Sequence, residues 1–221
     1  MGNDIEDTTA LSRPARKRNP EESRRRILDA AERAFSLRGF AGARLRDIAQ
    51  EAGVHHALVH HYYGDKQGLF AEVVKRGLGR VSSAGLETLN DSDDFEAVTR
   101  AFVGVLFDFC ANNQNLLRII EGAFRDRSSV AYGVTAEALG SLAGPLTTKL
   151  KGRIEKGQAN GQIRRDISAE SLILLGFGAI VYRFITAEDL LRATGVAGSG
   201  EFDANREREQ AVQYVLRAMG C

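Results

Sequence analysis

Apolar positions recur at three- and four-residue spacing along almost the whole chain, and no alternating β pattern lasts more than a few residues. The pattern predicts an all-α fold. The first helix opens at Asn19-Pro20-Glu21-Glu22: Asn19 is placed to cap it, Pro20 fits the first turn, and Glu22 is placed for a capping box. Ile27, Ala30, Ala31, Ala34 and Phe35 form one apolar stripe, and Gly39 is the expected left-handed stop. Beyond the segment Leu45 to Tyr63, Asp65-Lys66-Gln67 opens a helix running to about Leu89, and residues 91–94 (DSDD) read as a turn and cap. Further helices are predicted over 95–112, 114–126, 134–159, 169–193 and 204–219. Asn160-Gly161 ends the third of these, Ser168 caps the fourth, and the Gly-rich loop 195–200 precedes the last.

The segment 45–63 has a more specific pattern. Leu45, Ile48, Ala49 and Ala52 make the apolar face of a short helix. Ala49 is small where a second helix must pass close, Gly53 falls where a positive φ is wanted, and Val54 plugs the corner. Leu58, Val59 and Tyr62 then turn back to the core. This is the geometry of a DNA-reading helix-turn-helix, with a plain corner of a helical bundle as the competing reading. At ~100° per residue, His56, Ala57, His60 and His61 fall on the outward side. That face carries no negative charge, offers imidazole donors and acceptors, and has a methyl group for a thymine methyl. Arg44 and Arg46 start the preceding helix, and Lys66 lies in the first turn of the following one, positions suited to phosphate. The candidate DNA-contacting set is Arg44, Arg46, His55, His56, Ala57, His60, His61, Tyr62 and Lys66.

Charge sharpens this picture. The net charge is only +1, but residues 1–80 hold 15 basic against 11 acidic side chains and the remainder 15 against 18. Within 13–46 the count is 11 against 4. A basic first third before a mildly acidic remainder fits a polyanion-binding module on a differently employed body. Residues 1–18 read as a disordered arm, acidic and then basic at Arg13, Arg16, Lys17 and Arg18, either a solvated tail or an arm that grasps DNA. All four histidines fall between residues 55 and 61. A neutral DNA-facing set is the favoured reading. Protonation would add charge beside phosphate and tighten binding as pH falls toward ~6. A zinc site on His56 and His60 has too few ligands, so no metal is expected.

No apolar run reaches the ~18 residues of a membrane span, and the acidic start lacks the apolar core of a secretory signal. A cytoplasmic location is the expectation. The two cysteines, Cys110 and Cys221, do not make a disulfide framework and read as a buried thiol and a loose C-terminal one. No phosphate loop, nucleophile elbow, zinc triad or recognisable carboxylate pair is present, so no catalytic residue, enzyme activity or cofactor is expected.

The chain resembles the TetR family of repressors. The resemblance is carried by Arg26-Ile27-Leu28-Asp29-Ala30-Ala31, Phe35, Gly39, Arg46-Asp47-Ile48-Ala49, Ala52-Gly53-Val54 and the run Ala57 to Phe70 (ALVHHYYGDKQGLF), about a fifth of the chain. It implies about nine helices, with an arm at 1–18, a helix-turn-helix DNA-binding domain at 19–66 and an effector-binding and dimerisation domain at 67–221. It also implies repression by operator occupancy and release by a small organic effector. The chain departs from the family at Ala43-Arg44, where Thr or Ser often caps the second helix, at His55, another common cap position, and at His60, often Tyr.

Family members enclose an apolar pocket in the body. The resemblance therefore nominates Phe102, Leu106, Phe109, Asn113, Leu117, Glu121, Phe124, Leu142, Phe177 and Tyr182 as ligand-binding, with ordinary core as the alternative and Glu121–Arg125 equally readable as a surface ion pair. Residues 169–186 are too apolar for an exposed helix, and Gly176, Gly178 and Ala179 would let a partner helix approach. A homodimer through this helix and the last one follows, and a two-fold protein reads a palindromic operator. An activator or a ligand-independent DNA-binding protein is the alternative function.

Overall fold

The computed structural model describes residues 19–89, 94–185, 193–195 and 203–220. Among these residues it is all helix: α1 (Pro20–Gly42), α2 (Leu45–Glu51), α3 (His56–Tyr63), α4 (Lys66–Thr88), α5 (Phe95–Asn112), α6 (Gln114–Arg125), α7 (Val130–Ala138), α8 (Gly144–Ala159), α9 (Ala169–Ile185) and α10 (Ala204–Met219). A π-turn, Leu139–Ala143, joins α7 to α8, so the two form one rod. The arm 1–18, the turn at 91–93, the continuation of α9 past 185 and most of the loop 195–200 lie outside the described residues.

Local chemistry sets most helix starts. The Asn19 side chain accepts from the Glu21 N–H, Asp65 from Gly68, Asp94 from Ala97, Ser168 from Ser171, and Asp203 from Asn205 and Arg206, each pairing an amide that a helix N-terminus leaves open. Gly39 has φ +67° and breaks α1 ahead of its last three residues, and Gly53 has φ +62° in the corner between α2 and α3.

The rod differs from the helix expected at 134–159, for two physical reasons. It starts earlier because Ser129 caps it, accepting from the Tyr132 N–H. It is interrupted because Pro145 has no N–H and its ring crowds the carbonyl four residues back, that of Ser141. The backbone widens there, and the Gly144 N–H reaches the Leu139 carbonyl instead. The Ser82 hydroxyl of α4 donates to the Leu142 carbonyl in this turn.

Two cores result. The first joins Ile27, Ala31, Phe35, Ile48, Ala49, Val59 and Phe70 of α1–α4 to Ile119 and Ala123 of α6 and Ala131 and Ala138 of α7. The second is built from α5, α8, α9 and α10 around Phe102, Phe107, Ile154, Ile180 and Val212. The two cores divide within α4, between Leu78 and Val81. The first half of α4 packs with the head because Leu69, Phe70, Val73 and Val74 are all fully buried against it. Arg76 fastens the same junction, donating to Asp29 and Glu32 of α1 at 2.7 Å each. Burial would lower the Arg76 pKa, but its hydrogen bonds to these two carboxylates more than offset that and raise it. Cys110 is buried in the second core, and burial pushes its thiol up to about 12.

Candidate nucleic-acid interface

The pair α2–α3 holds its reading side out. Ile48, Ala49 and Val59 are buried, Leu58 and Tyr62 are half-buried, and His55, His56, Ala57, His60 and His61 are exposed. The small Ala49 and the left-handed Gly53 let the helices cross, and the Val54 N–H closes the corner on the Ala49 carbonyl. The far end of α3 is tied to α1: the Tyr63 hydroxyl donates to the Arg24 carbonyl at 3.1 Å, and the Arg24 guanidinium lies 4.8 Å from the Tyr62 ring centre. Gly68 lets α4 start against α3, because a Cβ there would stand 2.2 Å from the Tyr63 carbonyl oxygen.

The histidines divide the work. His55 serves as the cap of α3 itself: its Nδ1 accepts from the Ala57 N–H at 3.3 Å. The amide only donates, so this Nδ1 carries no proton. His60 Nδ1 lies 2.6 Å from the Gly64 carbonyl, which only accepts, so this Nδ1 is protonated. The His56 and His60 rings meet edge-on at 4.6 Å, and among the described residues no group of three or more His, Cys, Asp or Glu gathers as a metal site.

Arg44 is the N-cap residue of α2 and makes no side-chain capping bond. Among the described residues neither Arg44 nor Arg46 has an ion-pair or side-chain hydrogen-bond partner, and both are exposed. The nearby acid Asp47 is held by Arg38 at 3.1 Å. Lys66, nominated for phosphate, is also bound within the protein. Its ammonium donates to the carbonyls of Ala41 and Ala43 at 3.2 and 3.3 Å and lies over the Phe40 ring, so two of its three protons tie the turn that carries Arg44. No sequence signal distinguishes that use from a free lysine, because the carbonyls come from 23 and 25 residues away.

The ten nominated ligand residues do not gather at one site. Phe102, Leu106 and Phe177 line a cavity among α5, α8, α9 and α10, together with Thr99, Ile154, Gly176 and Val215. Its volume is about 30 Å³, room for a water molecule and far below the ~300 Å³ of a small-molecule site. Leu117 and Phe109 pack in the second core outside that lining. Asn113 is occupied at the α5–α6 junction, donating to the Phe109 carbonyl and accepting from Arg80. Glu121 pairs with Arg125, Phe124 is exposed against Tyr132, and Leu142 sits in the π-turn against the first core. Tyr182 faces outward, 49% exposed, in a stripe on α9 with Leu174 (73%), Leu175 (54%), Gly178 and Ala179. Gly176, expected on that stripe, points inward to the cavity. Tyr214 of α10 is 53% exposed beside a shallow groove running along that helix. No helix among the described residues is long and apolar enough to cross a membrane.

The comparisons agree with this layout. The family model for bacterial regulatory proteins of the tetR family matches residues 27–73, which hold the helix-turn-helix. The HTH-type transcriptional repressor SCO4008 of Streptomyces coelicolor is 30% identical over 158 residues, covering 72% of this chain and 76% of that protein. The HTH-type transcriptional repressor NicS of Pseudomonas putida is 28% identical over 152 residues, 69% of this chain and 71% of that protein. Among solved structures, the transcriptional regulator FadR of Bacillus subtilis in complex with stearoyl-CoA superposes with a TM-score of 0.64 at 15% identity, covering 88% of this chain and 98% of that one, which shows the shared fold. The chain belongs to the TetR family of bacterial regulatory proteins and is a DNA-binding transcriptional regulator.

Proposed function

We propose that this protein is a homodimeric repressor, not an enzyme, that reads a palindromic operator through α3 and lets go of it when a small organic effector binds. The observation that carries the reading is the outward face of α3: exposed, free of carboxylates and flanked by the unpaired Arg44 and Arg46. His56, Ala57, His60 and His61 meet base edges in the major groove, with Tyr62 at the margin of that face. Arg44 and Arg46 hold phosphates, the His55 cap fixes the start of the reading helix, and Lys66 holds the turn that presents Arg44, with one proton left for a phosphate. Residues 19–66 serve as the reading head and 67–221 as the body.

The exposed stripe Leu174, Leu175, Gly178, Ala179 and Tyr182, continued by Tyr214, supports a two-fold four-helix contact of α9 and α10. Its small residues let the partner helix approach, and its large ones supply the apolar area. The effector reading rests on the relationship to FadR, whose structure holds stearoyl-CoA. In this chain the Phe102–Phe177 cavity has to widen well beyond its present volume to admit such a ligand. Sedimentation velocity at micromolar concentration tests the assembly. A species of twice the 24.1 kDa chain is expected, and a monomer there and on DNA would undo the palindrome.

A further inference from the structure

A second hollow lies where the head meets the body. Between the end of α1 and the length of α6 runs a cleft of about 610 Å³, closed at one side by Ser129, the cap of α7, by Ala131 of α7 and by Ile185 of α9. That volume suits a small molecule, whereas the bundle cavity suits a water. Its apolar wall is the half-buried Phe40, with Leu37 73% exposed at the edge, and Phe35, Phe70 and Ile119 lie buried behind it.

The rim carries Arg38, Arg118 and Arg125 against Glu121 and Asp126, and Arg38 is held by Asp47. Both acids are already engaged. Glu121 accepts twice from Arg125, and the Asp126 carboxylate accepts from the Ser128 amide and hydroxyl, bonds that lower its pKa. Arg118 is exposed and has no ion-pair or hydrogen-bond partner among the described residues. An open guanidinium beside the half-buried Phe40 and the exposed Leu37 suits a planar anion with an apolar body.

The geometry points to this cleft as a regulatory site for an organic carboxylate, bound with its apolar body against Phe40 and Leu37 and its carboxylate on Arg118. Such a ligand touches α1 of the head and α6 of the body together. It favours the one head–body angle that fits it and so shifts operator affinity. The site stands on the cleft alone, and its regulatory effect rests on the repressor reading above.

The test titrates the full-length protein, labelled at isoleucine δ1 methyls, with 1-naphthoate. Ile119 and Ile185 line the cleft, and Ile154, Ile173 and Ile180 line the bundle cavity, so the two sites report separately. Saturating shifts of Ile119 and Ile185 are expected, with the bundle isoleucines still. The uncharged 1-naphthalenemethanol, and 1-naphthoate on Arg118→Glu, should bind at least roughly fivefold more weakly. Gly122→Leu should abolish the shifts without harming the fold. Gly122 lines the cleft, a Cβ there meets nothing within 4 Å, and Leu is the better helix former. Saturating 1-naphthoate should move operator affinity by roughly fivefold or more, and operator should move 1-naphthoate affinity by the same factor. Shifts confined to the bundle isoleucines, or none by ~10 mM probe, would overturn the site. Cleft shifts with unchanged operator affinity would overturn the regulation. A protein that binds no duplex at all fails the repressor reading and leaves the methyl titration to decide the cleft.

Discussion

The head buries its apolar surface among its own helices and against α6 and α7 and keeps a polar face outside, whereas the body leaves apolar surface uncovered. On α3 the exposed side chains are three histidines and one alanine, while α9 and α10 expose two leucines and two tyrosines. The head core is rich in alanine, so its helices approach closely and hold their angles. The body core is built on Phe and Leu and keeps a small void beside Phe102 and Phe177. The contrast separates two kinds of recognition. Reading DNA needs a preformed polar surface whose position is fixed to fractions of an ångström. Pairing with a second copy needs apolar area. One chain supplies both by placing them at opposite ends of α4, which belongs to each core in turn.

Four variants break or sharpen that contrast. The largest effect is expected from the double change Leu174→Asp and Leu175→Asp. Four buried leucines are lost per dimer at ~1.5–3 kcal/mol each, so sedimentation should show monomer and the dimer constant should weaken by 100-fold or more. Operator affinity should fall with it, and a dimer that persists would mean that the partner sits elsewhere. Next is Ala57→Glu, which places a carboxylate on the face of α3 that has none. Duplex affinity by fluorescence anisotropy should drop roughly 100-fold, with melting temperature and dimerisation unchanged. Third, Gly68→Ala drives a methyl into the Tyr63 carbonyl at 2.2 Å. Urea unfolding should register a loss of about 2 kcal/mol, and unchanged stability would show that the α3–α4 contact is loose. The smallest effect has the opposite sign. Thr135 is fully buried between α7 and α4, and its hydroxyl has no partner among the described residues. Thr135→Val keeps the shape and removes the unpaired group, so stability should rise by about 1 kcal/mol.

The same contrast explains what the sequence makes legible. Asn19, Asp65, Ser168 and Asp203 act on amides two or three residues away, and Gly53 acts on its own φ, so these features can be read locally. The outward set on α3 follows from helical period alone. Lys66 is harder, because its partners come from the far side of a turn. The π-turn has a local cause in Pro145, but its hydrogen bond to Ser82 spans 60 residues. The ligand set in the body was the least legible. Phe124 and Tyr182 have the same spacing and chemistry as core residues, and only the packing of α6 and α9 turns them outward. The cleft between head and body has no sequence signature, since it is the space left between α1 and α6.

The central claim is that two copies of one polar helix face read a two-fold DNA sequence. Selection of bound duplexes from a random library, at fixed salt and pH, tests it most directly. The account predicts recovery of a single palindromic motif with half-sites one helical turn, ~34–36 Å, apart or a multiple of it, bound by two chains. Recovery of no motif, with binding that only fades as salt rises, would contradict it.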